Sequence, residues 1–147
     1  MEMKRFAMAL LLTVSAAGAE AGSLFGALIV AEDGTFLGTC GGAYGVDSIA
    51  SDYGLHGSKY GVQSMYNPYG QYGSPYATYS PFNRYGRPAY LLSNDPKLVT
   101  LFTSPTYRPT PAIVSAIRSS GAGHITVSTT DPRAIDPNAL RVTCRNP

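Results

Sequence analysis

The sequence predicts an α+β fold: a small antiparallel sheet with an N-terminal hairpin, a turn-rich segment built on a 16-residue Tyr/Gly repeat, and one short helix. Three observations carry this reading. An Asp-Gly pair separates two apolar, β-branched runs at residues 24–31 and 35–39, the strongest short-range signal for a hairpin. Residues 48–90 resemble themselves at a fixed spacing of 16, the mark of a repeated structural unit. Thr110-Pro111 opens a stretch that places Ile113, Ala116 and Ile117 on one helical face.

The chain begins with Lys4 and Arg5, an apolar run at residues 6–14, and the small residues Ala17-Gly18-Ala19. That is the layout of a secretory signal peptide, and the apolar run is shorter than the roughly 20 residues a spanning helix needs. Cleavage is expected after Ala19, with Ala21 as the alternative. Residues 20–147 then form a single domain, secreted or periplasmic, with no transmembrane segment. From Glu20 onward nine Lys and Arg stand against eight Asp and Glu, a net charge of about +1. They form no basic cluster, which argues against a nucleic-acid partner. Cys40 and Cys144 are the two cysteines. In an exported chain an even count favours a disulfide, two separate buried thiols being the other reading.

Within the hairpin, Asp33-Gly34 is expected to place both central turn positions at positive φ. A single carboxylate there lacks the 6–8 oxygens that calcium takes. The repeat follows. Its first row carries Ser48, Ser51, Tyr53, Gly54, Gly57, Ser58 and Tyr60; its second carries Ser64, Asn67, Tyr69, Gly70, Gly73, Ser74 and Tyr76. The third has Ser80, Asn83, Tyr85 and Gly86 and then drifts. Each row is expected to hold a Ser-capped α or 3₁₀ turn, a left-handed Gly stop and a short extended Gly-Ser-x-Tyr piece. Pro68, Pro75, Pro81 and Pro88 exclude long helices. Disorder requires composition but not register, so the aligned columns favour an ordered segment.

Beyond the repeat, residues 97–103 read as a strand and residues 104–109 as a Pro-containing loop. The helix starting at Pro111 has Arg118 near its C-terminal dipole and Gly121 at its end. Residues 124–130 alternate as a strand, with Ile125 and Val127 on one side. A last strand at residues 140–144 returns to the hairpin if the disulfide exists.

No catalytic constellation assembles along the chain. It lacks the nucleophile elbow, the zinc-protease motif and the phosphate-binding loop. His56 has Tyr72 in its column, and His124 has no partner nearby in sequence. Asp47 and Asp52 are replaced by Gln63 and Pro68 one row later, so no carboxylate site repeats. The expectation is therefore a protein that is not an enzyme, with no catalytic residue, cofactor or metal. An extracellular hydrolase is the least favoured alternative.

Ten of the 11 tyrosines fall between Tyr44 and Tyr90. Tyrosine joins an apolar ring to a polar tip and suits both cores and recognition surfaces. For the column Tyr53, Tyr69 and Tyr85 packing in the core is the favoured account, with recognition second. Tyr60 and Tyr76 are open either way. These five are the candidate binding residues, for a glycan or another envelope protein.

The Asp33-to-Thr39 hairpin, the Ser-x-x-(Ser/Asn)-x-Tyr-Gly-x-x-Gly-Ser-x-Tyr rows, the strand and the Pro-initiated helix together resemble a group of small, uncharacterised exported bacterial proteins and appended domains. The resemblance covers residues 30–119 and is most specific in the repeat columns. It implies a bacterial envelope or secreted setting and no known activity; the signal peptide, the Tyr/Gly rows and the missing catalytic constellation lead to the expectation of a structural or interaction module at the cell envelope. The third row departs from the pattern after Gly86, and Cys144 lies outside it.

Overall fold

Side chains along a strand point alternately to opposite faces, and in this chain both faces of the sheet are covered. The structure, a computed structural model, describes residues 24–120 and 124–146. The expected signal peptide, its cleavage site and Gly121 lie outside the described residues. Strands β1 (Leu28–Ala31), β2 (Phe36–Thr39), β3 (Ala89–Leu92) and β4 (His124–Val127) form an antiparallel sheet in the order β2-β1-β3-β4. Leu28, Val30, Tyr90 and Leu92 are buried on one face with Phe102 of helix α1 (Pro96–Thr103) and with Val114 and Ile117 of α2 (Pro111–Ser119). Ile29, Ala31, Ala89 and Leu91 are buried on the other, with Ile49, Met65 and Tyr72 of the repeat and with Leu140 and Cys144 of α3 (Pro137–Arg145). The fold is α+β, with the repeat as one of its three layers.

The hairpin forms where the Asp-Gly pair placed it, on a different turn. Gly34 N–H donates to the Ala31 carbonyl and Ala31 N–H to that of Thr35, both at 2.9 Å. Gly34 has φ 89°, and no described residue other than glycine has a positive φ. Only the glycine therefore takes the left-handed position, as in three-residue hairpin loops. Asp33 Oδ1 accepts from Thr35 N–H at 3.0 Å, which holds the turn locally.

The rows form no continuous helix. Each is a run of single turns in which N–H groups donate to carbonyls behind them, three residues back from Ser51 to Ser48, Gly54 to Ser51, Gly61 to Ser58 and Ser64 to Gly61, and four back from Ser58 to Gly54. Residues 64–80 repeat the five bonds in register. Ser and Asn suit the first position of such turns because the side chain accepts from the N–H two residues on. Ser64 does this for Tyr66, Asn67 for Tyr69, Ser74 for Tyr76 and Asn83 for Tyr85, at 3.0–3.1 Å. Asn67 and Asn83 also donate through Nδ2 to the Gly61 and Ala77 carbonyls at 2.9 Å. The row glycines lack the expected left-handed conformation. Space is what requires glycine: a Cβ on Gly57 would lie 2.0 Å from the Ser51 oxygen, and one on Gly73 2.2 Å from that of Asn67.

Two segments expected as strands are helices. Residues 97–103 belong to α1 and residues 140–144 to α3. The cause lies just upstream, where Asp95-Pro96 and Asp136-Pro137 repeat the arrangement of Thr110-Pro111. Asp95 accepts from Lys97 N–H at 2.8 Å, and Asp136 from Asn138 and Ala139 N–H at 3.0 and 3.1 Å. Proline at the first helical position loses no hydrogen bond. A disulfide joins Cys40 to Cys144 across a separation of 104 residues and fastens α3 beside the end of β2. No helix among the described residues is long and apolar enough to cross a membrane.

Candidate functional site

Within each row the columns divide into those that face the sheet and those that face away. Ile49, Met65 and Pro81 share a column and are fully buried. The next column holds Ala50, Tyr66 and Phe82, with the last two rings edge-on at 6.2 Å. His56 and Tyr72, also one column, are both buried. The invariant column Tyr53, Tyr69 and Tyr85 points outward, 97, 92 and 88% exposed. Packing, the favoured account of those rings, is therefore incorrect. Their place in the turn is held through the backbone, which leaves the ring surface without a partner in the core. Tyr60 and Tyr76 are also exposed, and so is Tyr44.

The rings that do build the core stand in columns of mixed residue type, which is why they went unselected. Tyr72 O–H donates to Asp33 Oδ2 at 2.9 Å and lies 2.8 Å from Thr35 Oγ1, tying row two to the hairpin turn. Burial, with Asp33 beside it, raises its pKa. Tyr66 O–H donates to the Pro137 carbonyl at 2.6 Å, and burial pushes this phenol up as well. The Arg141 guanidinium lies 4.5 Å from the Tyr66 ring centroid.

Two clefts flank Arg141 where α3 meets the ribbon. The first, about 520 Å³, is bounded by Asp52, Tyr53, Gly57, Ser58, Lys59 and Tyr60 of row one. The second, about 400 Å³, is bounded in row two by Met65, Tyr66, Pro68, Gly73 and Pro75, with Phe82 and Asn138 beyond. Asp52, Gly57 and Lys59 stand 16 residues before Pro68, Gly73 and Pro75. Three columns thus line both clefts, with Asp52 and Lys59 in the first and Pro68 and Pro75 in the second, while Tyr53, Ser58 and Tyr60 line the first alone and Met65, Tyr66 and Phe82 the second alone.

Arg141 and Arg145, one turn apart on α3, organise the first cleft. Nη2 of Arg141 bonds Asp52 Oδ1 and the Gly57 carbonyl, and Nη2 of Arg145 bonds Asp52 Oδ1 at 3.0 Å and the Ala50 carbonyl at 2.9 Å. Arg141 Nε is buried without a hydrogen-bond partner among the described residues. Lys59 and Arg141 line the cleft against one carboxylate, Asp52, which Arg145 also pairs from outside the lining, so the cleft carries an excess of positive charge. Neither arginine stands out in the sequence, because both lie about 90 residues from Asp52 and Arg141 falls within the strand expected at residues 140–144.

The histidines lie elsewhere. His56 is in the core against Phe36, ring centroids 5.0 Å apart, and the His124 ring meets Tyr90 at 5.8 Å. Neither lines these two clefts. No protein-family model matches the chain, and no curated protein or solved structure matches it.

Proposed function

We propose that this chain is an exported interaction module of the bacterial envelope that engages a polysaccharide through the tyrosine face of its turn ribbon. The observation that carries the proposal is the outward column Tyr53, Tyr69 and Tyr85: a residue type repeated in three rows, with its rings outside the core. Packing does not account for such a choice, whereas flat rings repeated along a surface suit a partner that also repeats. Tyrosine stacks on the apolar C–H face of a sugar and hydrogen-bonds at its tip. The adjacent clefts add Ser, Lys, Arg and backbone groups as polar partners. The Cys40–Cys144 bond accords with an oxidising compartment, and the N-terminal pattern and the family resemblance support export. Another envelope protein is the second reading, favoured by the exposed apolar residues Val46, Leu55 and Val62 on the same ribbon.

The test is co-sedimentation of the folded protein with insoluble peptidoglycan and other polysaccharides. Binding by the native chain and its loss in the Tyr53→Ala/Tyr69→Ala/Tyr85→Ala variant are expected. A folded native protein that sediments with none of them overturns the polysaccharide reading.

A further inference from the structure

Resting on that reading, we infer that the two clefts beside Arg141 are successive subsites for an acidic polysaccharide. The anionic unit sits in row one and an uncharged unit in row two. Three columns of the repeat and Arg141 line both clefts, and two of those columns carry different residues in each. Where row one presents Asp52 and Lys59, row two presents Pro68 and Pro75, and Gly57 and Gly73 give both the same close backbone approach. Arg141 borders both clefts, so a chain lying in one reaches the other beside the same guanidinium.

Charge selects the occupant of row one. Asp52 is already engaged by Arg141 and Arg145, while Lys59 projects over the Tyr60 ring at 5.2 Å. The surplus is cationic, and a carboxylate-bearing sugar offers the opposite charge together with a face for Tyr53 or Tyr60. In row two, Pro68, Pro75 and Phe82 offer apolar surface and no cation of their own besides Arg141. A desolvated charge is costly there, so an uncharged, acetylated or deoxygenated unit fits better. The ligand class is therefore a polymer that alternates acidic and uncharged sugars.

The experiment measures binding of the full mature chain to hyaluronate (alternating acid and N-acetyl sugar), polygalacturonate (acid at every unit), dextran (neutral) and poly-glutamate. Hyaluronate is expected to bind most tightly, with an affinity that falls on raising salt. In Lys59→Gln the ratio of hyaluronate to dextran affinity drops about tenfold, the scale of one charge-assisted contact. Pro75→Lys, which gives row two the residue row one carries on the same turn, shifts preference toward polygalacturonate. Thermal melts verify that both variants are folded. Equal binding of dextran and hyaluronate, unmoved by Lys59→Gln, overturns this inference and leaves the polysaccharide reading standing. Poly-glutamate binding as tight as hyaluronate overturns it in favour of a general polyanion surface. Absence of binding to all three by a protein that sediments with peptidoglycan overturns this inference alone, and absence of binding to peptidoglycan as well overturns the functional reading itself.

Discussion

His56 lies in the core with its Nδ1 3.2 Å from the Gln63 carbonyl, its Nε2 3.9 Å from Asp47 Oδ1 and its ring against Phe36. A carbonyl only accepts, so Nδ1 carries the proton of the neutral ring. Burial lowers the pKa below the ordinary 6.5, although Gln63 and Asp47 pull in the other direction. The unfolded chain therefore binds the proton more readily, and stability falls with pH below about 6.5, toward the folded value. One such group contributes a slope of at most about 1.4 kcal/mol per pH unit. Urea unfolding at pH 7.5 and 5 should show this slope, and His56→Phe, which keeps the ring against Phe36, should flatten it. An unchanged slope in the variant would place the titration in another residue. At the same scale, Gly73→Ala drives a Cβ toward the Asn67 oxygen. Destabilisation of about 3 kcal/mol is expected, at the upper end of ordinary overpacking, and would be read from the denaturation midpoint.

The turn ribbon separates two sets of tyrosines with opposite roles. Alanine at Tyr53, Tyr69 and Tyr85 removes exposed rings while leaving the Asn67 and Asn83 bonds to backbone N–H groups in place. Each change should cost no more than about 0.5 kcal/mol, as surface substitutions do, and circular dichroism and melting should show a folded triple variant. Tyr72→Phe removes a hydroxyl that bonds both Asp33 and Thr35. A loss of about 1–2 kcal/mol is expected from the interrupted buried network, with polysaccharide binding retained. If the exposed column proved the more damaging to stability, the division of roles would be reversed. The repeat's existence, boundaries and turn character were legible in the sequence, because Ser, Asn, Gly and Pro act locally. The outward direction of the invariant Tyr column was not, since a period of 16 gives no simple inside and outside.

At the scale of the molecule, Cys40–Cys144 connects the end of β2 to α3, the helix that supplies Arg141 and Arg145. Closing a loop of this length lowers unfolded-chain entropy by an amount worth about 4–5 kcal/mol at 25 °C in the chain-entropy model. Reduction, or a paired Cys40→Ala/Cys144→Ala change, should lower the urea midpoint by the corresponding amount. Loss of the α3 packing should also weaken hyaluronate binding more than dextran binding, because the cations of row one depend on it. Leu140→Ala tests the same helix without touching the disulfide: the side chain is fully buried, and a loss of about 2–5 kcal/mol is expected.

Local chemistry alone determined the hairpin, the turn-rich rows, the Pro-initiated α2 and the strand at β4. Each depends on residues within a few positions of one another. The same chemistry also marked α1 and α3 through Asp95-Pro96 and Asp136-Pro137, but the β-branched and apolar residues that follow outweighed those caps in a linear reading. Tertiary structure decided which tyrosines are core and which are surface, and it brought Arg141 to Asp52. It also placed Arg141 on both clefts, the one lined by Asp52 and Lys59 and the one lined by Pro68 and Pro75. Those outcomes depend on how the ribbon lies on the sheet and where α3 docks, and both are set by burial between segments distant in the chain.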